Sequence, residues 1–471
     1  MLRRILDSPW SYFVLAALLL LGGLLSQVEI GVPTRPQGNV SQLEALRDRK
    51  DLNVLFIVID TLRADALSAY GAPRPTSPLI DSIAASGIRF AHARAQSSWT
   101  KSSMASLWLA AYPNRTGILR FDQALAKGVS LPAEALQRAG LETTALVRNP
   151  WLDRNFGFAR GFDLYLFPTP SPSATARPDG AVPGSDRDVI QSAIEFVTTH
   201  EKERFFLYLH LMDVHQYYSG MPTIAFGTTR RDLYDASIRW VDSLLGELFT
   251  VFEQKDLTQR TLVVIASDHG EEFFEHGGEG HQRTLYSEVL DVPLIVGLPF
   301  RVLPGIVVEE PVENVDIWPT VFDLLGLPPA PGADGRSLVP LIQAAATQPA
   351  TAQPARDGRP VWTRPSFSML DLTWGERNRG SHPLVSVTQG TLMLIDALFA
   401  PDQVQLFDLA SDPGTQHDLA AGNPEGVAAL RRTRDEILAR PPLDPPVTLE
   451  LDAMRLEQLR ALGYAAPSEA K

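Results

Sequence analysis

Apolar runs without polar interruption recur along the chain, separated by stretches of helical spacing. "LNVLFIVID" (52–60), "ERFFLYLHL" (203–211) and "RTLVVIASD" (260–268) are built mainly from Leu, β-branched and aromatic residues. That is the pattern of strands buried on both faces of a parallel sheet. "ETTALVRN" (142–149) reads as a further strand, whereas "SPLIDSIAASG" (77–87), "LPAEALQRAG" (131–140), residues 232–252 and "VDIWPTVFDLLGLP" (315–328) read as helices. Strands alternating with helices predict an α/β fold with a mostly parallel central sheet and helices on both faces. Farther on, "HPLVSVTQGTLMLID" and "QVQLFDLASDPG" read as antiparallel strands with turns, and "PEGVAALRRTRDEILA" as an amphipathic helix. These predict a small C-terminal α+β subdomain built on an antiparallel sheet.

The first 30 residues have a different pattern. Arg3 and Arg4 precede an uncharged, mostly apolar run over 8–28, close to the roughly 20 residues a membrane-spanning helix needs. No small-x-small cleavage site follows it, so the expectation is an uncleaved signal anchor, with a cleaved signal peptide as the alternative. The positive-inside rule then places the N-terminus in the cytoplasm and the remainder outside, facing the periplasm or exterior. The expected organisation is an anchor over 1–30, a polar tether over 31–50, a catalytic domain over 51–343, a linker over 344–360 and the C-terminal subdomain and tail over 361–471. Residues 168–186, rich in Pro, Ser and Ala, read as a surface excursion within the catalytic domain.

Composition narrows the function classes. The chain of 471 residues is 45% hydrophobic, carries a net charge of −13 and contains no cysteine. Its acidity argues against nucleic acid as a partner, because phosphate backbones need a basic footprint. Lack of cysteine removes disulfides, thiolate metal sites and cysteine nucleophiles together.

Two of the apolar runs end in acid, at Asp60 and at Asp268 followed by His269. Ligands of open α/β sheets bind beyond the carboxyl ends of the strands. Two carboxylates and an imidazole delivered there would repel or be costly to bury unless a divalent cation joined them. Such a donor set suits Mn or Zn, with Mg admissible and Ca less suited. "SSWTKSSMASLWL" (97–109) supplies the reacting group. If it is helical, Thr100 and Lys101 stand at its N-terminal turn, where anionic oxygen is favoured. Thr100 could then lose its proton on the metal and attack phosphorus or sulfur, with Lys101 holding the non-bridging oxygens. The simpler alternative makes Thr100 only the helix N-cap.

Several stretches carry a family likeness: "NVLFIVIDTLRADALSAYG", "TSPLIDSIAASGIRFAHARAQSSWT", "AAYPNRTGI", "LHLMDVHQYY", "SDHGEEFFEHGGEGHQRTLYSEVLDVPLIV" and "DGRSLVPL". From residue 53 to about 341 the chain resembles the sulfatase branch of the alkaline phosphatase superfamily, and "LFDLASDPGTQHDLA" and "LRALGY" resemble that family's C-terminal subdomain. The resemblance places Asp60, Asp268 and His269 on metal ligands and Thr100 on the nucleophile. It places Arg115 on a basic residue of the following helix and Asn149 near a substrate-side polar position. His215 and His281 fall on residues that contact the ester oxygens or protonate the leaving group. His276 is left undecided, and His92, His200, His210, His382 and His417 are read as structural or surface residues.

The departures from the family pattern bear on the chemistry. Family sulfatases carry Cys or Ser in a C/S-x-P-x-R pattern that matures to a formylglycine. Here the register reads Thr100-Lys101-Ser102-Ser103-Met104, and a secondary alcohol cannot give that aldehyde. Thr61 stands where the family has a second acid, and His269 where it usually has Asn. This set resembles the metal site of lipoteichoic acid synthases and phosphoethanolamine transferases, and the Asp-His pair also occurs in phosphonate monoester hydrolases. The resemblance implies a membrane-anchored, metal-dependent enzyme that cleaves or transfers an ester through Thr100, phosphorus being favoured over sulfur. Its ester substrate would be lipid-linked or part of the cell envelope. A formylglycine-independent sulfuric ester hydrolase and an inactive sulfatase-like binding protein are the competing readings.

Overall fold

In a computed structural model, the structure describes residues 35–168, 185–217, 226–347, 361–375 and 380–450. In chain order the strands are β1 (Asn53–Ile59), β2 (Ile88–Arg94), β3 (Gln123–Ala124), β4 (Glu142–Val147), β5 (Leu164–Leu166) and β6 (Phe205–Leu211). There follow β7 (Thr261–Ala266), β8 (Glu272–Phe273), β9 (Glu279–Gly280), β10 (Asp291–Gly297), β11 (Ile306–Val308) and β12 (Val312–Glu313). The last are β13 (Trp362–Asp371), β14 (Pro383–Gly390), β15 (Leu392–Ala397), β16 (Val404–Asp408) and β17 (Val447–Thr448).

The central sheet runs β11-β2-β10-β7-β1-β6-β4-β5, with β12 also paired to β2. From β7 to β5 every pairing is parallel; β10 alone runs antiparallel to both of its neighbours. The uninterrupted apolar runs are explained by two-sided burial. In β1, Val54, Phe56 and Val58 enter one core cluster, and Leu55, Ile57 and Ile59 enter the other. The first face is covered by the helices Thr100–Leu109 and Ile317–Leu324. Between them Trp108 stacks on Trp318 at 5.1 Å and meets Tyr208 edge-on at 5.0 Å. The second face is covered by the helices Asp186–Thr199 and Arg230–Gln254.

The C-terminal sheet is an antiparallel meander, β13-β14-β15-β16, packed against the helix Pro424–Leu438 through Val427, Leu430 and Ile437. It is joined to the central sheet by a buried polar lattice. Arg364 of β13 donates to Glu313 at 2.9 Å and to Asp316 at 2.6 Å, while Glu313 also accepts from Tyr112 at 2.8 Å. The backbone N–H of Met369 donates to the carbonyl of Gln96 at 2.8 Å.

Two sequence expectations change. The tether over 31–50 is not free along its described part: Arg35 donates to the Leu298 carbonyl at 2.8 Å, and Leu43 and Leu46 are buried. Their spacing puts both on one side of a helical turn, which gives them a face to bury. The first four positions of the linker expected over 344–360 belong instead to the helix Val339–Thr347. The anchor over 8–28 and most of the 168–186 excursion lie outside the described residues. Among the described residues no helix is long and apolar enough to cross a membrane.

Replacing Arg364 would leave Glu313 and Asp316 buried with no cation between them. Arg364→Met is expected to lower unfolding stability by about 3 kcal/mol, read as a lower urea midpoint. An unchanged midpoint would show that the lattice does not hold the two sheets together.

Candidate functional site

Parallel strands that end together present their last side chains at one place. Along β1, residues 54, 56 and 58 face the helix Thr100–Leu109, and Asp60 continues that parity. The same holds for His210 after Phe206 and Tyr208, for Asp268 after Val264 and Ala266, and for Asn149 after Ala145 and Val147. Asp60, Asn149, His210, Asp268 and His269 are all fully buried, together with Thr100.

One ligand atom from each of Asp60, Asp268 and His269 lies within 4.8 Å of the others. Asp60 Oδ2 accepts from Asn149 Nδ2 at 2.7 Å and from His210 Nε2 at 3.1 Å, while Asp60 Oδ1 has no hydrogen-bond partner. Asp268 repeats this division. Its Oδ1 accepts from the N–H groups of Thr61 and His269, and its Oδ2 has no hydrogen-bond partner. Two buried carboxylates that each keep one oxygen unsatisfied are costly unless a cation completes them. Burial first, and then the charge of Asp60, push the Asp268 carboxyl up to about 7. Burial acts on Asp60 in the same direction, but the His210 hydrogen bond and the neighbouring imidazoles outweigh it and hold that carboxyl below the usual range. His269 Nδ1 faces the Gly270 carbonyl at 3.0 Å, so the proton belongs on Nδ1 and Nε2 keeps its lone pair. The donor set therefore fits a divalent cation.

Thr100 is the first residue of its helix; Trp99 occupies the N-cap position, which removes the reading of Thr100 as a cap. Thr100 Oγ1 lies 3.1 Å from His269 Nε2 and 3.4 Å from Asn149 Nδ2. Asn149 thus bridges the hydroxyl and the Asp60 carboxylate, a more central place than the sequence assigned to it. His215 and His281 join the cluster: their ring centroids are 5.0 Å apart, and His281 is 4.5 Å from His269. Burial lowers the basicity of all three imidazoles, His281 to about 4.

Two expected residues are placed elsewhere. Lys101 is fully buried, but its Nζ donates to the Phe121 carbonyl at 2.7 Å and lies over the Phe156 ring at 3.5 Å. Successive helical side chains diverge by a large angle, so a neighbour of Thr100 points away from what Thr100 faces. Arg115 pairs with Asp334 at 2.9 Å and donates to the carbonyls of Gly332 and Pro441, fastening loops together. Thr61, which stands where the family has a second acid, faces away from the cluster with its hydroxyl. Its hydroxyl turns back to the Asp60 carbonyl at 2.7 Å, and its left-handed backbone (φ 61°) directs its N–H toward Asp268.

Sequence reasoning passed over His210 and Glu271. His210 links the Tyr208 hydroxyl (2.8 Å) to Asp60, and the alternation of "FFLYLHL" would have shown it facing Asp60. Glu271 is buried with both carboxylate oxygens 3.3 Å from His281 Nδ1, and burial raises its carboxyl to about 7. His276 belongs to a second group with Glu272 and Glu288. Its two nitrogens are occupied by Glu288 at 2.6 Å and by the Thr415 carbonyl at 2.8 Å, and its ring stacks on Tyr286.

The Sulfatase family model matches residues 52–327, which include Asp60, Thr100, Asn149, His215, Asp268, His269 and His281. Arylsulfatase K of Gallus gallus is 29% identical over 46% of this chain and 38% of its own length. That of Mus musculus is 27% identical over 63% of this chain and 53% of its own. The chain therefore spans only about half, or less, of these curated relatives. In fold it is similar to the phosphonate monoester hydrolase of Agrobacterium radiobacter, with a TM-score of 0.62 at 20% identity, covering 85% of this chain and 100% of that one. With more than half of its length matched by the family model, this chain belongs to the sulfatase family.

Proposed function

We propose that this protein is a metal-dependent enzyme that cleaves or transfers an ester, phosphate or phosphonate ahead of sulfate, with Thr100 as nucleophile. The observation that carries the reading is the Thr100 hydroxyl 3.1 Å from His269 Nε2, beside two carboxylates that each keep an unsatisfied oxygen. Asp60, Asp268 and His269 would hold the cation, which when bound would lower the pKa of the hydroxyl and neutralise charge on the ester. Asn149 orients Oγ1 from one side. Thr100 Oγ1 loses its proton and attacks phosphorus, the bond to the leaving oxygen breaks, and that oxygen gains a proton. His281, held by Glu271, and its neighbour His215, which burial keeps neutral at rest, are the groups suited to take up the proton Thr100 releases and pass it to the leaving oxygen. Attack by water or an acceptor alcohol on the phosphorylated Thr100 then releases the group and restores the hydroxyl.

Phosphorus is preferred because Thr100 cannot become a formylglycine. Sulfate remains the second reading, favoured by the likeness to arylsulfatase K. The uncharged run over 8–28 supports a membrane anchor with the catalytic body outside, and with it lipid-linked or cell-envelope esters as substrates.

Metal binding has a readout independent of turnover. Mn or Zn added to chelator-treated protein is expected to raise Tm by a few degrees. Asp60→Asn and Asp268→Asn are expected to remove the rise, and its persistence in both variants would move the metal elsewhere.

The nucleophile is tested with paired aryl phosphate monoester, diester, phosphonate and sulfate substrates. Thr100→Ala is expected to lower kcat by about 10^3-fold or more, and acid-quenched wild-type enzyme to carry one phosphoryl group on the peptide containing Thr100. Turnover that survives Thr100→Ala would remove Thr100 from the mechanism. Exclusive turnover of the sulfate ester would select the second reading.

A further inference from the structure

Beside the candidate site lies a buried charged cluster to which the proposed chemistry gives no role. Arg148 follows β4, Asp213 follows β6, and Asp186 opens the helix Asp186–Thr199. Their side chains are 5%, 1% and 0% exposed. Arg148 Nη1 donates to Asp213 Oδ1 at 2.6 Å and to Asp186 Oδ1 at 3.0 Å, and Nη2 donates to Gln216 at 3.4 Å. Asp186 also accepts from the backbone N–H groups of Met212 and Asp213, at 2.8 and 2.7 Å. Asp213 Oδ2 accepts from the Asp186 N–H at 3.1 Å and from Trp240 Nε1 at 2.9 Å. Two strand ends and one helix are thus joined by one guanidinium, and Trp240 fastens the helix Arg230–Gln254 to Asp213.

A buried ion pair is weak grounds for stability, since desolvation offsets much of the attraction. Here two carboxylates share one cation, and burial together with the Asp213 charge raises Asp186 to about 7. What the cluster does provide is fixed geometry, and its position gives that geometry a use. The residue after Arg148 is Asn149, whose amide holds both Asp60 Oδ2 and Thr100 Oγ1. Two residues after Asp213 comes His215, beside His281.

We propose that Arg148 is a positioning residue: clasped by Asp186 and Asp213, it locks the turns after β4 and β6 so that Asn149 stays on Thr100 and Asp60, and His215 stays beside His281. The proposal rests on the functional reading above. It concerns orientation, so the effect belongs in kcat, where a displacement of about 1 Å costs on the order of 10^2-fold.

The test uses the full chain loaded with Mn and the aryl ester that the wild type turns over best. Arg148→Met is expected to lower kcat by about 10- to 100-fold with KM and bound metal little changed, and Arg148→Lys to recover part of the loss. Added to Asn149→Ala, Arg148→Met should lower kcat no further, because both act through the same amide. Asp213→Asn, which keeps shape while loosening the clasp, should lower kcat in the same direction and serves if Arg148→Met does not fold. A crystal structure of the folded variant should show Asn149 Nδ2 displaced from Asp60 Oδ2, whatever the activity. Unchanged kcat in Arg148→Met or Asp213→Asn, losses that multiply with Asn149→Ala, or an undisplaced Asn149 would each overturn the proposal. Absence of wild-type turnover on every ester would instead overturn the functional reading, leaving the crystal structure to decide the role of Arg148.

Discussion

The register of four parallel strands governs the rest of this molecule. Val54 to Ile59 of β1 pair in step with β6 on one side, Asn53 to Val58 pair with β7 on the other, and β4 continues the step on β6. Because side chains alternate with a period of two, a slip of one residue in any of these strands would turn its final polar group to the opposite face. The apolar side chains of β1, β6 and β7 are buried on both faces, so a slip of one residue would exchange two closely packed sets and carry the polar group at the strand end to the wrong side of the sheet. Hydrophobic packing along the strands thereby specifies where Asp60, Asn149, His210 and Asp268 converge. The core sets the geometry of the polar site.

That convergence is electrostatically unfavourable by itself, and the protein distributes the difficulty. Each carboxylate satisfies one oxygen with protein donors and leaves the other unsatisfied. Donors to the satisfied oxygens come from groups that are themselves held: His210 by Tyr208, Asn149 by the Trp151 N–H it caps, and the Thr61 turn by Tyr234. Arg148, Asp186 and Asp213 sit one shell farther out. Rigid support of this kind keeps two like charges close in a form that a cation can enter.

Much of this was legible in the chain. Strands ending in Asp60 and Asp268-His269 and a hydroxyl-rich helix start at Thr100 follow from run length, residue type and the strand-end rule. Asn149, His215 and His281 were reachable through family likeness alone, since a single Asn or His in a loop has no local signature. His210 was misread because an isolated imidazole in an apolar strand looks like a core residue; its parity with Phe206 and Tyr208 carried the information. Lys101 and Arg115 were misplaced for a different reason. Proximity in sequence to Thr100 says nothing about direction, and a buried amine among Phe121, Trp151 and Phe156 is a tertiary outcome. Arg148 and Asp213 find each other only in three dimensions.

The helix Thr100–Leu109 shows how the Thr100 hydroxyl and the Asp268-His269 pair are made to move together. All ten of its residues are buried, although half of them are Thr, Lys or Ser. Such a helix costs polar burial that an amphipathic one would avoid, and its polar contacts show what that burial accomplishes. Thr100 reaches His269 Nε2, and one turn on, Ser103 Oγ donates to the Asp268 carbonyl at 2.5 Å. These two bonds tie the first turn of the helix to two successive residues of the Asp268-His269 pair. Any rotation or slide of the helix must break both, so the distance between hydroxyl and ligand set is fixed from two points. A weakly acidic secondary alcohol becomes reactive only when it is held against groups that ionise it. The polar sequence "TKSSMAS" is therefore what the proposed role of Thr100 would require: a hydroxyl mounted rigidly against the Asp268-His269 pair.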